Sequence, residues 1–203
     1  MLMNRLILLF LALCLSLVMT AQDIKEEFEN VLIEKSAGIE TISCRFTQVR
    51  TMSVLANDVR KEGHFTCVRP GNILLAFEDG DYIKMTDTHF KMKNAGAVTD
   101  MKISTNPMLK ELKRILSACM TGDVRMLSSG FEIDVEDAGS FYEVSLLPLR
   151  NRGAAQMKSI ILHFEKQDMS LDLLLFEEAS GDSITYEFTE KEFNVSVDEE
   201  LFR

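Results

Sequence analysis

The stretch FTCVRPGNILLAF, residues 65–77, contains two short apolar runs that are separated by an Arg-Pro-Gly sequence. Proline followed by glycine is typical of a turn, so the stretch predicts a strand, a turn and a second strand. Because side chains alternate between the faces of a strand, Phe65, Cys67 and Arg69 are expected to share one face. An apolar face that ends in a charge is unusual for a plain core strand.

Similar alternating runs lie on both sides of this hairpin, and their number predicts a large sheet. About five runs precede the middle of the chain and five follow it, joined by turn sequences such as Asn57-Asp58, Asp79-Gly80 and ASGD. Connections this short favour antiparallel pairing. We therefore predict an α+β, mainly β fold with about ten to eleven antiparallel strands in one bent sheet.

Two amphipathic helices are available to cover the concave face of such a sheet. Residues 23–37 carry apolar side chains at helical spacing and end before Gly38. A second helix is predicted after Asn106, a good N-cap, with Pro107 in the first turn and Gly122 at the end. Its apolar stripe comprises Met108, Leu109, Leu112, Ile115, Leu116 and Cys119.

The first 21 residues are typical of a secretory signal peptide. Arg5 precedes an apolar run of 13 residues, 6–18, and Ala21 offers a small residue at the cleavage site. The run is short for a bilayer span, and a retained membrane anchor is the alternative. Cys14 follows Leu13 rather than a small residue, which argues against a lipoprotein signal. We expect residues 22–203 to form one exported domain.

Charge and cysteine content restrict the partners. The formal net charge of −10 repels phosphate backbones, so we expect no nucleic-acid partner. The predicted mature chain has three cysteines, Cys44, Cys67 and Cys119, which cannot all pair with each other. Cys44 and Cys67 are predicted on consecutive strands, where they form either a disulfide or buried thiols, depending on the register. No CxxC or Cys/His spacing indicates a metal, and we expect no cofactor.

The sequence contains no recognisable catalytic motif. His64, His89 and His163 each lie beside residues that are predicted to face the core, so the histidines are expected to face outward. None of them accompanies a nucleophile and an orienting group. Nucleotide-binding, zinc-protease and serine-hydrolase motifs are absent from the sequence. We expect no catalytic residues and a protein that is not an enzyme.

Alternation predicts instead a broad apolar surface on one face of the sheet. Its predicted members are Phe65, Ile73, Leu75, Phe77, Ile83, Met85, Phe90, Met92, Leu162, Phe164, Leu173, Leu175, Ile184, Tyr186 and Phe188. Nine methionines in the predicted mature chain add to this, because methionine adapts to varied apolar ligands. Four of them, Met85, Met92, Met101 and Met108, are expected around the start of the second helix. Ordinary core filling is the alternative.

The order of these features resembles the periplasmic outer-membrane lipoprotein carriers, the LolA-type proteins. CRFTQVR follows the first helix and is similar to the family's Phe-x-Gln strand, with Phe46 and Gln48 at the matching positions. GHFTCVRPG matches a glycine and Arg-Pro signature, and NPMLKELKRIL stands at the central helix. Residues 158–202 resemble the closing strands. The resemblance covers nearly all of the predicted mature chain.

The resemblance implies an unclosed antiparallel β-barrel with an α-helical lid over an apolar cavity for lipoprotein acyl chains. Arg69 matches the arginine that hydrogen-bonds to the lid backbone, and it is the implied lid latch of the empty protein. The implied cargo-binding residues are Phe46, Phe65, Ile73, Leu75, Phe77, Ile83, Met85, Phe90, Met92, Leu109, Leu112, Leu116, Tyr186 and Phe188.

The resemblance also implies partners and a location. A monomeric carrier in the periplasm of a Gram-negative bacterium takes lipoproteins from an inner-membrane lipoprotein-releasing transporter and delivers them to an outer-membrane acceptor. Alternatives are an outer-membrane acceptor of the same fold, a carrier of a different (glyco)lipid, a lipid-modifying enzyme, and a structural or sensor protein without a ligand.

Three departures from the family pattern bear on the cargo and the docking partners. Leu74 and Leu75 stand where the family often has a basic–aromatic pair. Asp87-Thr88 replaces an Asp-Gly, and no further C-terminal segment is expected after Leu201-Phe202.

Overall fold

The structure is a computed structural model that describes residues 22–54, 57–149 and 157–202. The predicted signal peptide, residues 1–21, lies outside the described residues. The strands are β1 (Thr41–Thr51), β2 (Val59–Val68), β3 (Asn72–Phe77), β4 (Tyr82–Met85), β5 (His89–Asn94), β6 (Ala97–Lys102), β7 (Phe131–Asp137), β8 (Phe141–Pro148), β9 (Met157–Glu165), β10 (Leu171–Glu178) and β11 (Ser183–Phe193).

In the described residues, two α-helices accompany the strands: α1 spans residues 22–36 and α2 spans Pro107–Thr121. Three short 3-10 helices, which the sequence did not predict, span Ile103–Thr105, Val124–Ser129 and Glu199–Phe202. Within the described ranges, no helix combines the length and the apolar character that a membrane span requires.

All eleven strands belong to one antiparallel sheet in the order β6-β5-β4-β3-β2-β1-β11-β10-β9-β8-β7. The first and last strands, β1 and β11, pair at its centre. The edge strands β6 and β7 are not paired with one another in the described part of the chain, so the barrel is open. The predicted fold class, a mainly β protein with an unclosed antiparallel barrel and a helical part, is confirmed.

The ends of α2 follow the predicted capping residues. The backbone N–H of Leu109 donates to Oδ1 of Asn106 at 3.2 Å, which satisfies one of the unpaired donors of the first turn. At the other end, Gly122 has a φ of +75°, the left-handed conformation that glycine adopts at little cost.

The two helices lie over different parts of the sheet. On α1, the Phe28 ring packs on Tyr142 of β8 and Phe164 of β9, each at 5.3 Å between ring centroids. On α2, Lys113 Nζ donates to the Thr86 carbonyl and to Oδ1 of Asp87, both at 2.8 Å, in the turn between β4 and β5. Together the helices cover both halves of the concave face.

The predicted face of β10 is wrong. Leu174 is buried opposite Tyr186 and Leu162, which makes Leu174 and not Leu173 or Leu175 the inward residue. A β-bulge between Leu171 and Leu173 inserts one residue and shifts the alternation of the strand. The remaining pairs of the predicted apolar face keep their phase.

Candidate functional site

The structure brings all fourteen predicted cargo-binding residues to the interior between the sheet and the helices. Eight are buried: Phe46, Phe65, Ile73, Leu75, Met85, Phe90, Leu109 and Phe188. Six are half-buried and pack against this core: Phe77, Ile83, Met92, Leu112, Leu116 and Tyr186. Eleven of them lie on the concave face of the sheet and three, Leu109, Leu112 and Leu116, lie on α2, and their role toward a cargo is a proposal.

Five of these residues form a continuous row of aromatic rings. Phe46 contacts Phe77 edge-on at 5.2 Å between centroids and Tyr186 at 6.0 Å. Tyr186 stacks with Phe188, which in turn meets Phe65 edge-on at 5.3 Å. The row crosses β3, β2, β1 and β11, and it lines the middle of the concave face with aromatic surface.

An open cavity of about 50 Å³ lies at one end of this row, beneath the C-terminal ends of the two helices. Three of the predicted residues line it, namely Phe65, Leu116 and Phe188. The other lining residues were not predicted as cargo-binding: Ser36, Ile39, Ile42, Cys44, Cys119, Met120, Met169, Ser170, Leu171, Lys191 and Phe193. The remaining predicted residues fill the adjoining core.

Arg69 joins the two helices above this cavity. Its Nη2 donates to the Ser36 carbonyl at 2.6 Å, at the end of α1, and to the Met120 carbonyl at 3.1 Å, near the end of α2. A cation is favourable at both positions because each is the negative end of a helix dipole. We call these two hydrogen bonds the Arg69 bridge. Both acceptor residues also line the cavity.

The bridge leaves one polar atom of Arg69 unsatisfied. Within the part of the chain that the structure describes, the buried Nε of Arg69 has no hydrogen-bond partner. A buried donor without a partner costs about 1–3 kcal/mol. This cost offsets part of the stabilisation from the two Nη2 hydrogen bonds.

Comparison with known proteins agrees with this geometry. A family model described as outer membrane lipoprotein carrier protein LolA matches residues 37–203. The chain belongs to the LolA family. No curated protein sequence matches the chain significantly.

Two solved structures share the fold at low sequence identity. A conserved, uncharacterized protein from Thermus thermophilus is 9% identical, covers 91% of this chain and 93% of its own, and has a TM-score of 0.52. A DUF1329 family protein from Desulfovibrio piger is 8% identical over 89% and 97% of the two chains, with a TM-score of 0.51. A LolA superfamily protein from Nitrosomonas europaea is 10% identical over 87% and 97%, with a TM-score of 0.43.

Among the described residues of this LolA family member, three thiols face the interior. Cys44 lies opposite Phe65 and Cys67 opposite Ile42, which places both cysteines on the inner face, and both are free. The third free thiol, Cys119, lines the cavity from α2. Burial raises the pKa of each thiol to about 12, so all three are protonated at neutral pH. Of the two possibilities for Cys44 and Cys67, the structure contains the buried thiols.

The methionines at the cavity differ from the predicted cluster. Met120 and Met169 line it, whereas Met85, Met92 and Met101 pack in the core, and the Met108 side chain is outside the described part. Met169 has a φ of +58° in the turn before β10, which no alternation pattern could have indicated.

Lys191 is the cavity-lining residue that the sequence analysis missed most clearly. Counting every second residue from Phe188 places Lys191 on the outer face, yet it lines the cavity.

No group of three or more His, Cys, Asp or Glu side chains in the described ranges could hold a metal ion.

Proposed function

We propose that this LolA family member is a periplasmic carrier that buries the acyl chains of lipoproteins and ferries them from the inner to the outer membrane. One observation carries the proposal: Ser36 and Met120, whose carbonyls bind Arg69, also line the cavity. A ligand that enlarges the cavity must therefore push on the residues that hold the two helices together.

The size of the cavity supports a lid that moves. A volume of about 50 Å³ is far below the roughly 300–1,000 Å³ of sites that enclose drug-sized ligands. An acyl chain can enter only if α1 and α2 separate from the sheet or from each other. The apolar and aromatic inner face would then become the wall of a larger space.

The energy of acyl-chain burial is large compared with that of the Arg69 bridge. Burying an acyl chain contributes about 0.8 kcal/mol per CH₂, so a dozen methylenes contribute on the order of 10 kcal/mol. The Arg69 bridge consists of two hydrogen bonds from a charged group, each worth roughly 1.5–3 kcal/mol, less the cost of the unsatisfied Nε. Cargo binding can thus displace the bridge, and re-forming the bridge favours release of the cargo.

The remaining parts of the proposal concern the route. Residues 1–21 serve as a cleaved signal peptide, and residues 22–203 act as a monomeric carrier domain. An inner-membrane lipoprotein-releasing transporter supplies the cargo and an outer-membrane acceptor receives it. No covalent step is required, because transfer needs only burial and release of acyl chains.

The decisive experiment is mass spectrometry of the protein purified gently from the periplasm. We expect acylated lipoprotein to copurify with the parent protein and to be lost from a Leu75→Glu variant. Free lipid in place of lipoprotein would show that the protein carries a different lipid. Complete absence of acylated material from the parent protein, with a fluorescent acyl probe also failing to bind, would refute the carrier function.

A further inference from the structure

A single cation lies at the apolar cavity. Among the described residues that line the cavity, Lys191 alone carries an ionisable cationic side chain, and that side chain is only 11% exposed. Its neighbours in the lining are mostly apolar, including Phe188 and Phe193 on either side of it along β11. Placing a charge among apolar side chains costs energy unless the charge has a partner.

A bulge in β11 turns Lys191 inward. Thr189 pairs with Arg45 of β1 and Glu192 pairs with Ser43, so Glu190 and Lys191 both lie opposite Cys44. Glu190 has a φ of +53°, a conformation that non-glycine residues seldom adopt. Strain of this kind persists where the surrounding structure enforces it, often at functional sites. Here it reverses the alternation and places Lys191 and Phe193 on the inner face.

The partner of Lys191 comes from a second bulge, in the neighbouring strand β10. Nζ of Lys191 donates to Oγ of Ser170 at 2.5 Å and forms an ion pair with Oδ1 of Asp172. Asp172 lies between Leu171 and Leu173, at the irregularity in the β9–β10 pairing. Two bulges in adjacent strands thus bring the lysine and the aspartate together at the edge of the cavity.

The two members of this ion pair differ in exposure. The Asp172 side chain is 41% exposed, whereas the Lys191 side chain is 11% exposed. The Asp172 carboxylate reaches solvent, so it can be hydrated when it leaves Lys191. Lys191 cannot follow, and a buried charge that loses its partner is strongly unfavourable. A second anion at the cavity would replace Asp172 as the partner.

We propose that Lys191 binds the negatively charged head group of an amphiphile whose acyl chain enters the cavity, in exchange for Asp172. This inference rests on the proposed carrier function and extends its cargo to amphiphiles that carry an anionic oxygen group at the polar end of the acyl chain. The head group is a carboxylate or a phosphate, since both accept charge-assisted hydrogen bonds from a lysine ammonium. The Ser170 hydroxyl, already in contact with Nζ, lies beside the bound head group.

The test compares two fluorescent acyl probes that differ only in charge: dansylaminoundecanoic acid and its methyl ester. Affinities are measured for the parent protein and for Lys191→Met, Asp172→Asn and Lys158→Met. Lys158 is a matched control, since it is a lysine paired with an acidic residue, Glu177, but 64% exposed and outside the cavity lining. Displacement of the acid probe by laurate and by dodecyl phosphate shows which head group is preferred.

We expect Lys191→Met to weaken binding of the acid probe about tenfold or more, as the loss of a hydrogen bond to a charged group predicts, and to spare the ester. Asp172→Asn should strengthen binding of the acid severalfold, because it removes the competing carboxylate. Lys158→Met should change neither affinity. If Lys191→Met does not fold, the affinity of Asp172→Asn for the acid probe tests the proposal by itself.

Equal loss of both probes in Lys191→Met, or no loss of either, would overturn the role of Lys191 and leave the carrier function standing. An unchanged acid affinity in Asp172→Asn would overturn the exchange with Asp172. Failure of the parent protein to bind either probe would instead count against the carrier function itself.

Discussion

Gly122, the residue that ends α2, packs directly on Ser36 at the end of α1. A Cβ at position 122 would overlap Oγ of Ser36 and lie 2.7 Å from the Leu32 carbonyl oxygen. The two helix ends therefore touch one another in addition to sharing Arg69. The helix ends are thus held together by this contact as well as by the Arg69 bridge.

Gly122→Ala should destabilise the closed protein more than an ordinary substitution of glycine at positive φ. Gly80→Ala is the matched control, because Gly80 has a φ of +84° but open space where the Cβ would lie. Both variants lose the conformational advantage of glycine, and Gly122→Ala adds overpacking that typically costs about 1–3 kcal/mol. Chemical denaturation measures the difference in the free energy of unfolding. If both variants lose the same free energy of unfolding, the added Cβ at position 122 causes no overpacking between the helix ends.

Arg69→Leu should slow the release of an acyl probe more than it changes its uptake. In the proposed carrier mechanism, the two hydrogen bonds of the bridge stabilise the closed, empty protein, so their removal favours the open form that holds cargo. A loss of about 1–2 kcal/mol of closed-state stabilisation predicts release that is roughly 5- to 30-fold slower. Stopped-flow transfer of the probe to vesicles measures the rate. Arg125→Leu, at an exposed arginine that pairs with Asp123, serves as the control. Equal transfer rates for parent and Arg69→Leu would count against the bridge.

Leu75→Glu and Phe77→Glu should each weaken binding of an acyl probe tenfold or more. Both substitutions place a carboxylate on the inner face of β3, where it opposes an apolar chain. Leu74→Glu is the control, since the Leu74 side chain lies on the other face of the same strand. Fluorescence titration gives the affinities, and thermal melting confirms that each variant folds. Unaltered affinity in both inner-face variants would exclude this face as the cargo wall.

The buried thiols of Cys44 and Cys67 should resist modification in the native protein. Burial raises the pKa of Cys44 from 9.0 to about 12, which lowers the thiolate fraction at pH 8 by about a thousandfold. Labelling with a disulfide reagent at pH 8 should be slow in the parent protein, faster in Arg69→Leu, and immediate for an exposed Val98→Cys control. Rapid labelling of the native parent protein would contradict the closed interior.

The same pKa shifts set a direction for stability at high pH. The folded thiols keep their protons up to about pH 12, whereas unfolded thiols lose theirs around pH 9.0. The unfolded state therefore gains relative stability as the pH rises above about 9. The free energy of unfolding should fall between pH 9 and 11, and replacing Cys67 by Ala should reduce the slope. If the free energy of unfolding falls equally steeply with pH after this replacement, the pH dependence comes from groups other than the Cys67 thiol.

Local patterns in the sequence sufficed for most of the architecture. Alternation assigned Phe65, Ile73 and Tyr186 to one face because each strand keeps its phase between turns. Asn106 and Gly122 marked the ends of α2 because capping depends on residues close in the chain. The outward positions of the three histidines followed from the same alternation.

The β-bulges in β10 and β11 could not be predicted from alternation. In β10 and β11 an inserted residue changes the phase, so Leu174 replaces Leu173 on the inner face and Lys191 reaches the cavity. Residues with positive φ are usually glycines, but the bulge in β11 starts at Glu190, so the sequence contains no glycine that would indicate it. The position of the cavity was also beyond the sequence, since helix ends and strand ends that form it are far apart in the chain.

The sequence by itself determined the strands, the two helices and the apolar inner face, because these depend on contacts between near neighbours and on side-chain chemistry. It also marked Arg69 as a charge at the end of an apolar face, without showing what the charge binds. Only the tertiary structure decided that, because the Ser36 and Met120 carbonyls lie 33 and 51 residues away from Arg69. Such partners are chosen by how the helices pack on the sheet, which is a property of the whole fold.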